Sequence, residues 1–146
     1  MNTKFTLKNF RVFDEKQGGT FDLKPITILT GCNSSGKSSL VKALFLLKNF
    51  FCQLDESGRF SICKLDFGNT AVKLGKYDAV RNSRSRKGSK MTFGYDVDLD
   101  IIDGKVQVEL AFKANDKDML NNGWLDSISI KKREWNQYLC SNYYER

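Results

Sequence analysis

The chain has 146 residues, of which 40% are apolar and 28% charged, with a formal charge of +7 and no histidine. That is the composition of one ordinary globular domain, not of a disordered or fibrous chain, and no apolar run is long enough to span a membrane. Without histidine, Ser–His hydrolases, His-ligated metal enzymes and most imidazole acid–base chemistry are excluded for this chain alone.

Residues 3–13 read as a strand with Phe5 and Leu7 on one face. Met1 to Lys8 alternates polar and apolar residues instead of forming the continuous apolar core of a secretory leader, so the chain reads as cytoplasmic. Residues 14–19, ending in Gly18-Gly19, read as a turn. A second strand is expected over 20–30, alternating at Phe21 and Leu23, then continuously apolar at Ile26 to Leu29, as a strand buried on both faces would be. Pro25 places an edge or bend between the two parts.

Gly31-Cys32-Asn33-Ser34-Ser35-Gly36-Lys37-Ser38 fits G-x-x-x-x-G-K-[ST], the phosphate-binding or Walker A pattern. Gly31 and Gly36 permit backbone angles and close approaches that a side chain would block. Successive N–H groups of the loop and of the helix start, Ser39 included, form an anion nest reinforced by the helix dipole. Lys37 reaches the β and γ phosphates and is the one residue to which a catalytic role is assigned; the Ser38 hydroxyl ligates Mg²⁺. Cys32 occupies a variable position of the loop, and its free thiol suits a reducing compartment, like those of Cys52, Cys63 and Cys140, whose spacing makes no zinc site. A helix from about 36 to 51 follows, with Leu40, Leu44, Leu47 and Phe51 at helical spacing and Val41, Ala43, Phe45 and Phe50 widening the apolar face, a pattern expected beneath a sheet.

Residues 52–90 carry weaker signals: Phe60 and Ile62 for a short strand, Asp66-Phe67-Gly68-Asn69 for a turn. Arg81, Arg84, Arg86, Lys87 and Lys90 fall within ten residues lacking an acid, read as a mobile basic loop that can contact a DNA backbone without sequence preference. From Met91 to Ile101 apolar and polar residues alternate, Asp103-Gly104 signals a hairpin, and Val106 to Phe112 alternate again; Ile128 and Ile130 suggest a third strand. Residues 133–146 have no clear period.

The stretch Gly31-x-Asn33-x-Ser35-Gly36-Lys37-Ser38-Ser39-Leu40 resembles the phosphate loop of the ABC-type ATPases that handle DNA: SMC proteins, RecF and the OLD-like "AAA family" ATPases of bacteria. Leu7 to Phe13 is similar to their first strand, and Phe21 to Thr30 to the hairpin return into the loop. The resemblance is close over residues 4–51 and architectural beyond. It implies an α/β fold with α+β character: the N-terminal lobe of a P-loop NTPase, with a β-hairpin leading into the phosphate loop and buried helix, then an antiparallel β-meander. One nucleotide-binding lobe is expected over 1–146, divided into a phosphate-loop core (1–56), an irregular basic segment (57–90), a sheet (91–132) and a tail (133–146). ATP and Mg²⁺ are the implied cofactors, a homodimer or a partner ATPase half the implied assembly. Arg11 matches a basic residue that can lie near the nucleotide; a solvated strand-end charge is the alternative.

The second metal-holding acid of those families ends a buried apolar strand and is followed by Glu. Ile101-Ile102-Asp103 is the nearest candidate, yet it belongs to an alternating strand. No Leu-Ser-Gly-Gly signature occurs, and Gln137, rather than Gln53, is the candidate for a glutamine linking nucleotide to the antiparallel lobe. The chain therefore reads as the N-terminal part of a longer ATPase that binds nucleotide and hydrolyses it poorly alone. A nucleoside or small-molecule kinase and a non-catalytic nucleotide module are the competing readings.

Overall fold

Buried Phe5 and Leu7 set the register of the first strand. In the computed structural model, which describes residues 3–52, 63–68, 73–98, 105–115, 117, 122–132 and 138–141, strand β1 spans Thr3–Lys8. It pairs antiparallel with β2 (Gly19–Leu23) on one side and with β4 (Met91–Asp98) on the other. The expected meander follows, β4 pairing with β5 (Lys105–Ala114) and β5 with β6 (Gly123–Lys132). The far side of β6 takes β3 (Lys64–Leu65) near its start and β7 (Tyr138–Ser141) near its end. All described strands thus form one antiparallel sheet, in the order β2-β1-β4-β5-β6-β3 with β7 also on β6. The phosphate-loop core and the meander share this sheet through β1 and β4.

The register aligns Leu7 with Phe93, Phe93 with Leu110, and Leu110 with Ile128, so one row of apolar residues crosses four strands. Helix α1 (Lys37–Phe51) covers that face with Leu40, Ala43, Leu46, Leu47 and Phe50. Phe50 meets Phe112 edge-on, with ring centroids 5.1 Å apart. Each such fully buried side chain contributes about 1.5–3 kcal/mol relative to exposure. Between Ala111 and Phe112 the register slips, placing Ser127 opposite Ala111 and Leu125 opposite Phe112. Asp126 is the extra residue, and its carboxylate pairs with Lys90 and, at 2.7 Å, with Lys113. This bulge returns Leu125 to the core.

Several expected elements differ. The strand expected over 3–13 stops at Lys8, because Asn9 and Arg11 adopt φ values of 57° and 51° and turn the chain. The strand expected over 20–30 stops at Leu23, and residues 24–30 have no regular structure. Lys24 donates its N–H to Thr27 Oγ1 (3.0 Å), which donates in turn to the Lys24 carbonyl (3.1 Å), a local turn that replaces strand pairing. Thr3, the first described residue of β1, lies opposite Leu23, so β1 offers no described residue beside Ile26 to Thr30. Ile26 and Ile28, expected to be buried, are 84% and 82% exposed. On α1, Val41 and Phe45 also face outward, so the helix is buried on one face only.

Residues 81–90 form a set of tied turns, not the mobile loop expected. They follow the short helix α2 (Tyr77–Val80). The buried Tyr77 hydroxyl hydrogen is shared between the carbonyls of Phe112 (2.8 Å) and Ser89 (3.0 Å), and its oxygen accepts the Met91 N–H (3.1 Å). Burial pushes its pKa up to about 12, so it stays a neutral hydrogen-bonding clasp. The turn expected over 66–69 is present as bends at Phe67 and Gly68. Asn69, Phe60, Ile62, the Asp103-Gly104 hairpin, Ile101-Ile102-Asp103, Gln53 and Gln137 lie outside the described residues. No described helix is long and apolar enough to cross a membrane.

Candidate nucleotide-phosphate site

The motif residues come together at the start of α1. Gly36 sits at the helix N-cap with φ 100°, and no side chain caps the helix or places an acid in its first turn. The first turn therefore presents its unsatisfied N–H groups, with their partial positive charge, to whatever anion approaches. Gly31 (φ 137°) and Ser34 (φ 66°) shape the rest of the loop, and residues 31–35 are exposed. Lys37 Nζ donates to the carbonyls of Gly31 and Cys32, both at 2.6 Å, and to Ser35 Oγ at 3.3 Å. The ammonium thus lies over the loop and holds its two ends together. Ser38 is exposed, and Cys32 is an exposed free thiol. Asn33 is exposed on the same loop.

A second element reaches the same place. After β1 the chain makes a tight hairpin in which Phe10 and Phe13 exchange N–H···O=C bonds, both 2.9 Å, leaving Arg11 and Val12 at the tip. Arg11 Nε donates to Ser39 Oγ at 3.2 Å, and Ser39 is 4% exposed. A Cβ at Gly36 would lie 2.7 Å from Phe13 Cζ and 3.0 Å from Val12 Cγ2, so the hairpin tip rests on the loop's last glycine. Arg11 is therefore not a solvated strand-end charge; it belongs to the α1 N-terminus. The next turn is tied by Asp14, whose Oδ1 accepts the N–H groups of Gln17 (2.6 Å) and Gly18 (3.2 Å). Those backbone donors hold its carboxyl below the usual carboxylate range.

The expected basic cluster divides. Arg81 donates to the carbonyls of Ser85 (2.7 Å) and Arg86 (2.9 Å), and Lys90 pairs with Asp126, so both have structural tasks. Arg84, Arg86 and Lys87 are exposed.

Two residues that hold the site gave little sign in the sequence: Tyr77, in a stretch without period, and Asn82. Asn82 is 4% exposed and donates Nδ2 to the Arg11 carbonyl at 2.6 Å. Its only signal is a polar residue between a short helix and a basic run.

A loop with two glycines, an uncapped 15-residue helix and two cations at its first turn are the parts that a phosphate-binding loop needs. The sequence agrees: residues 1–145 match the AAA ATPase domain family, and the chain belongs to that family. Membership implies nucleotide binding in the general sense, with ATP as the nucleotide and Mg²⁺ its usual companion. No curated protein and no solved structure matches the chain significantly.

Proposed function

We propose that residues 31–39 bind the phosphates of Mg-ATP and that the chain is the nucleotide-binding lobe of an ATPase of the SMC/RecF/OLD-like group. The observation that carries this reading is the helix N-terminus left without a cap or acid, with Lys37 and Arg11 converging on it. Backbone N–H groups of the loop and of Lys37 to Ser39 receive phosphate oxygens, and Lys37 exchanges loop carbonyls for phosphate. Arg11, anchored on Ser39, adds a second cation. Ser38 would supply a hydroxyl for a Mg²⁺ ion, which would neutralise charge on the phosphates. The antiparallel sheet favours this reading over a nucleoside kinase, where helices alternate with parallel strands.

Exposed Ile26 and Ile28, with Val41 and Phe45 on α1, support completion of the phosphate-loop segment by further strands, from a longer chain or a partner ATPase half. Arg84, Arg86 and Lys87 are the residues offered to a DNA backbone. Work on DNA, in repair, chromosome handling or phage defence, follows from the resemblance to that group. Calorimetry of Lys37→Ala with Mg-ATP tests the site. Binding at least tenfold weaker, about 1.4 kcal/mol or more, is expected with the fold intact by circular dichroism. Equal affinities would overturn the assignment.

A further inference from the structure

Arg11 is held in a conformation it would not choose. Its φ of 51° is left-handed, a region that costs a side-chain-bearing residue free energy and survives only where surroundings impose it. The surroundings come from residues 80–82. Arg11 N–H donates to the Val80 carbonyl at 2.7 Å, and Arg11 C=O accepts from Asn82 Nδ2 at 2.6 Å. Both backbone groups of this one residue are thus fixed by a segment some seventy positions away (|i−j| = 71 for Asn82).

Asn82 is engaged through both ends of its amide and through its backbone. Its Oδ1 accepts the Arg84 N–H at 3.0 Å, its own N–H donates to the Asn9 carbonyl at 3.4 Å, and its carbonyl accepts from Ser85 at 3.1 Å. Only a primary amide offers a donor to one side and an acceptor to the other from one planar group of this size; a carboxylate would set an acceptor against the Arg11 carbonyl. The amide orientation follows from those two partners. Beyond Arg11 the line continues through Nε to Ser39 Oγ on the first turn of α1.

We propose that Asn82 is a positioning residue for nucleotide binding, acting through Arg11: it fixes the left-handed backbone that aims the guanidinium at the first turn of α1. The proposal rests on the phosphate-site reading above. It also joins the turn carrying Arg84, Arg86 and Lys87 to the nucleotide site, because Asn82 ties the Arg84 N–H and the Arg11 carbonyl with one amide.

A double-mutant cycle on the full chain, read by calorimetry with Mg-ATP, tests it. Arg11→Ala and Asn82→Ala are each expected to weaken binding about tenfold, the scale of one contact to a charged group. Asn82→Ala in the Arg11→Ala background is expected to add nothing, since positioning is lost with the residue positioned. Asn82→Asp, which keeps the acceptor for Arg84 and loses the donor to Arg11, is expected to match Asn82→Ala and stands in for it should Asn82→Ala fail to fold. Parent-like affinity in the Asn82 variants overturns the proposal. So does an equal loss in both backgrounds, which would make Asn82 a stabiliser alone, and so does loss of fold in both variants. Should the parent itself not bind Mg-ATP, the phosphate-site reading falls first and this inference with it.

Discussion

Replacing Gly36 by alanine tests how tightly the Arg11 hairpin is seated on the phosphate loop, and Gly88→Ala supplies its control. Both glycines have positive φ, 100° and 83°. A Cβ at Gly88 meets nothing within 4 Å, so that substitution carries backbone strain alone, about 1–2 kcal/mol. At Gly36 the new methyl would stand 2.7 Å from Phe13 Cζ and 3.2 Å from Phe13 Cε1. That ring has neighbours on two further sides. It lies over Gly19, where a Cβ would be 2.7 Å from Phe13 Cδ1, and it meets Phe21 edge-on with centroids 5.5 Å apart. Overpacking of this kind adds about 1–3 kcal/mol. The expected totals are about 2–5 kcal/mol at Gly36 against about 1–2 at Gly88. At about 3 °C per kcal/mol for a chain of this size, the melting temperatures fall by roughly 6–15 °C and 3–6 °C. Calorimetric melting gives the two shifts, and Mg-ATP titration gives a second readout: Gly36→Ala loses affinity while Gly88→Ala keeps it. Equal melting shifts, or an unchanged affinity for Gly36→Ala, would refute the claim that the hairpin rests on the loop.

Four further outcomes are expected. Cys32 is an exposed thiol within the loop, so ATP slows its alkylation, read by peptide mass spectrometry, and alkylation in turn blocks ATP; a rate indifferent to ATP would turn its side chain away from the site. Burial alone would raise the Asp126 carboxyl, but Lys113 and Lys90 outweigh it and hold it below its ordinary 3.8. With the folded pKa the lower one, its contribution is fully present above about pH 4 and is lost as pH falls from there through the folded pKa, so Asp126→Asn melts lower than the parent at neutral pH and converges with it in acid; a constant difference would refute the sign. Duplex DNA binding, by anisotropy across a salt series, shows a log–log slope near about −2.7 from three phosphate contacts, and substituting Arg84, Arg86 and Lys87 with Ser flattens it; salt-independent binding, or none even at low salt, removes the DNA contact from this turn. Phosphate release from ATP by the purified chain runs well below about 1 per second, and faster turnover would reveal an unassigned catalytic group.

What the sequence made legible was local. The 3.6-residue recurrence of Leu40 to Phe51 located α1 to within a residue, and alternation from Met91 onward located β4, β5 and β6. The motif Gly31 to Ser38 was legible as a pattern because its spacing follows from the chemistry proposed for it. Long-range pairing was not: nothing in Phe5 or Leu7 names Tyr95 and Phe93 as their neighbours, although that register merges the two halves into one sheet. The apolar run Ile26 to Leu29 misled for the same reason, since a run records what a segment is suited to pair with, not whether a neighbour stands beside it. Arg81 to Lys90 misled by composition. A polar, basic stretch looks loose, but Tyr77, Arg81 and Asn82 spend their polar groups on backbone, and those bonds are what order it.

The way the loop is supported bears on how it works. Its C-terminal half is fixed by elements that share the core: α1 through its buried face, and the Arg11 hairpin through Phe10, fully buried and edge-on to Phe93 at 5.6 Å. Residues 80–82 bind that hairpin from a third side and are themselves clasped to β4 and β5 by Tyr77. Arg11 and Ser39 are therefore held together at the start of α1, as the proposed recognition of phosphate at defined positions requires. Gly31 to Ser35 are different: exposed, led into by the exposed segment 24–30, and linked to the rest through the Lys37 ammonium. Segments with few buried contacts are the ones that reorganise at small free-energy cost. On the proposed reading, a half fixed by the core adjoins an exposed half whose backbone N–H groups would meet the phosphates, and the lysine that links them belongs to both.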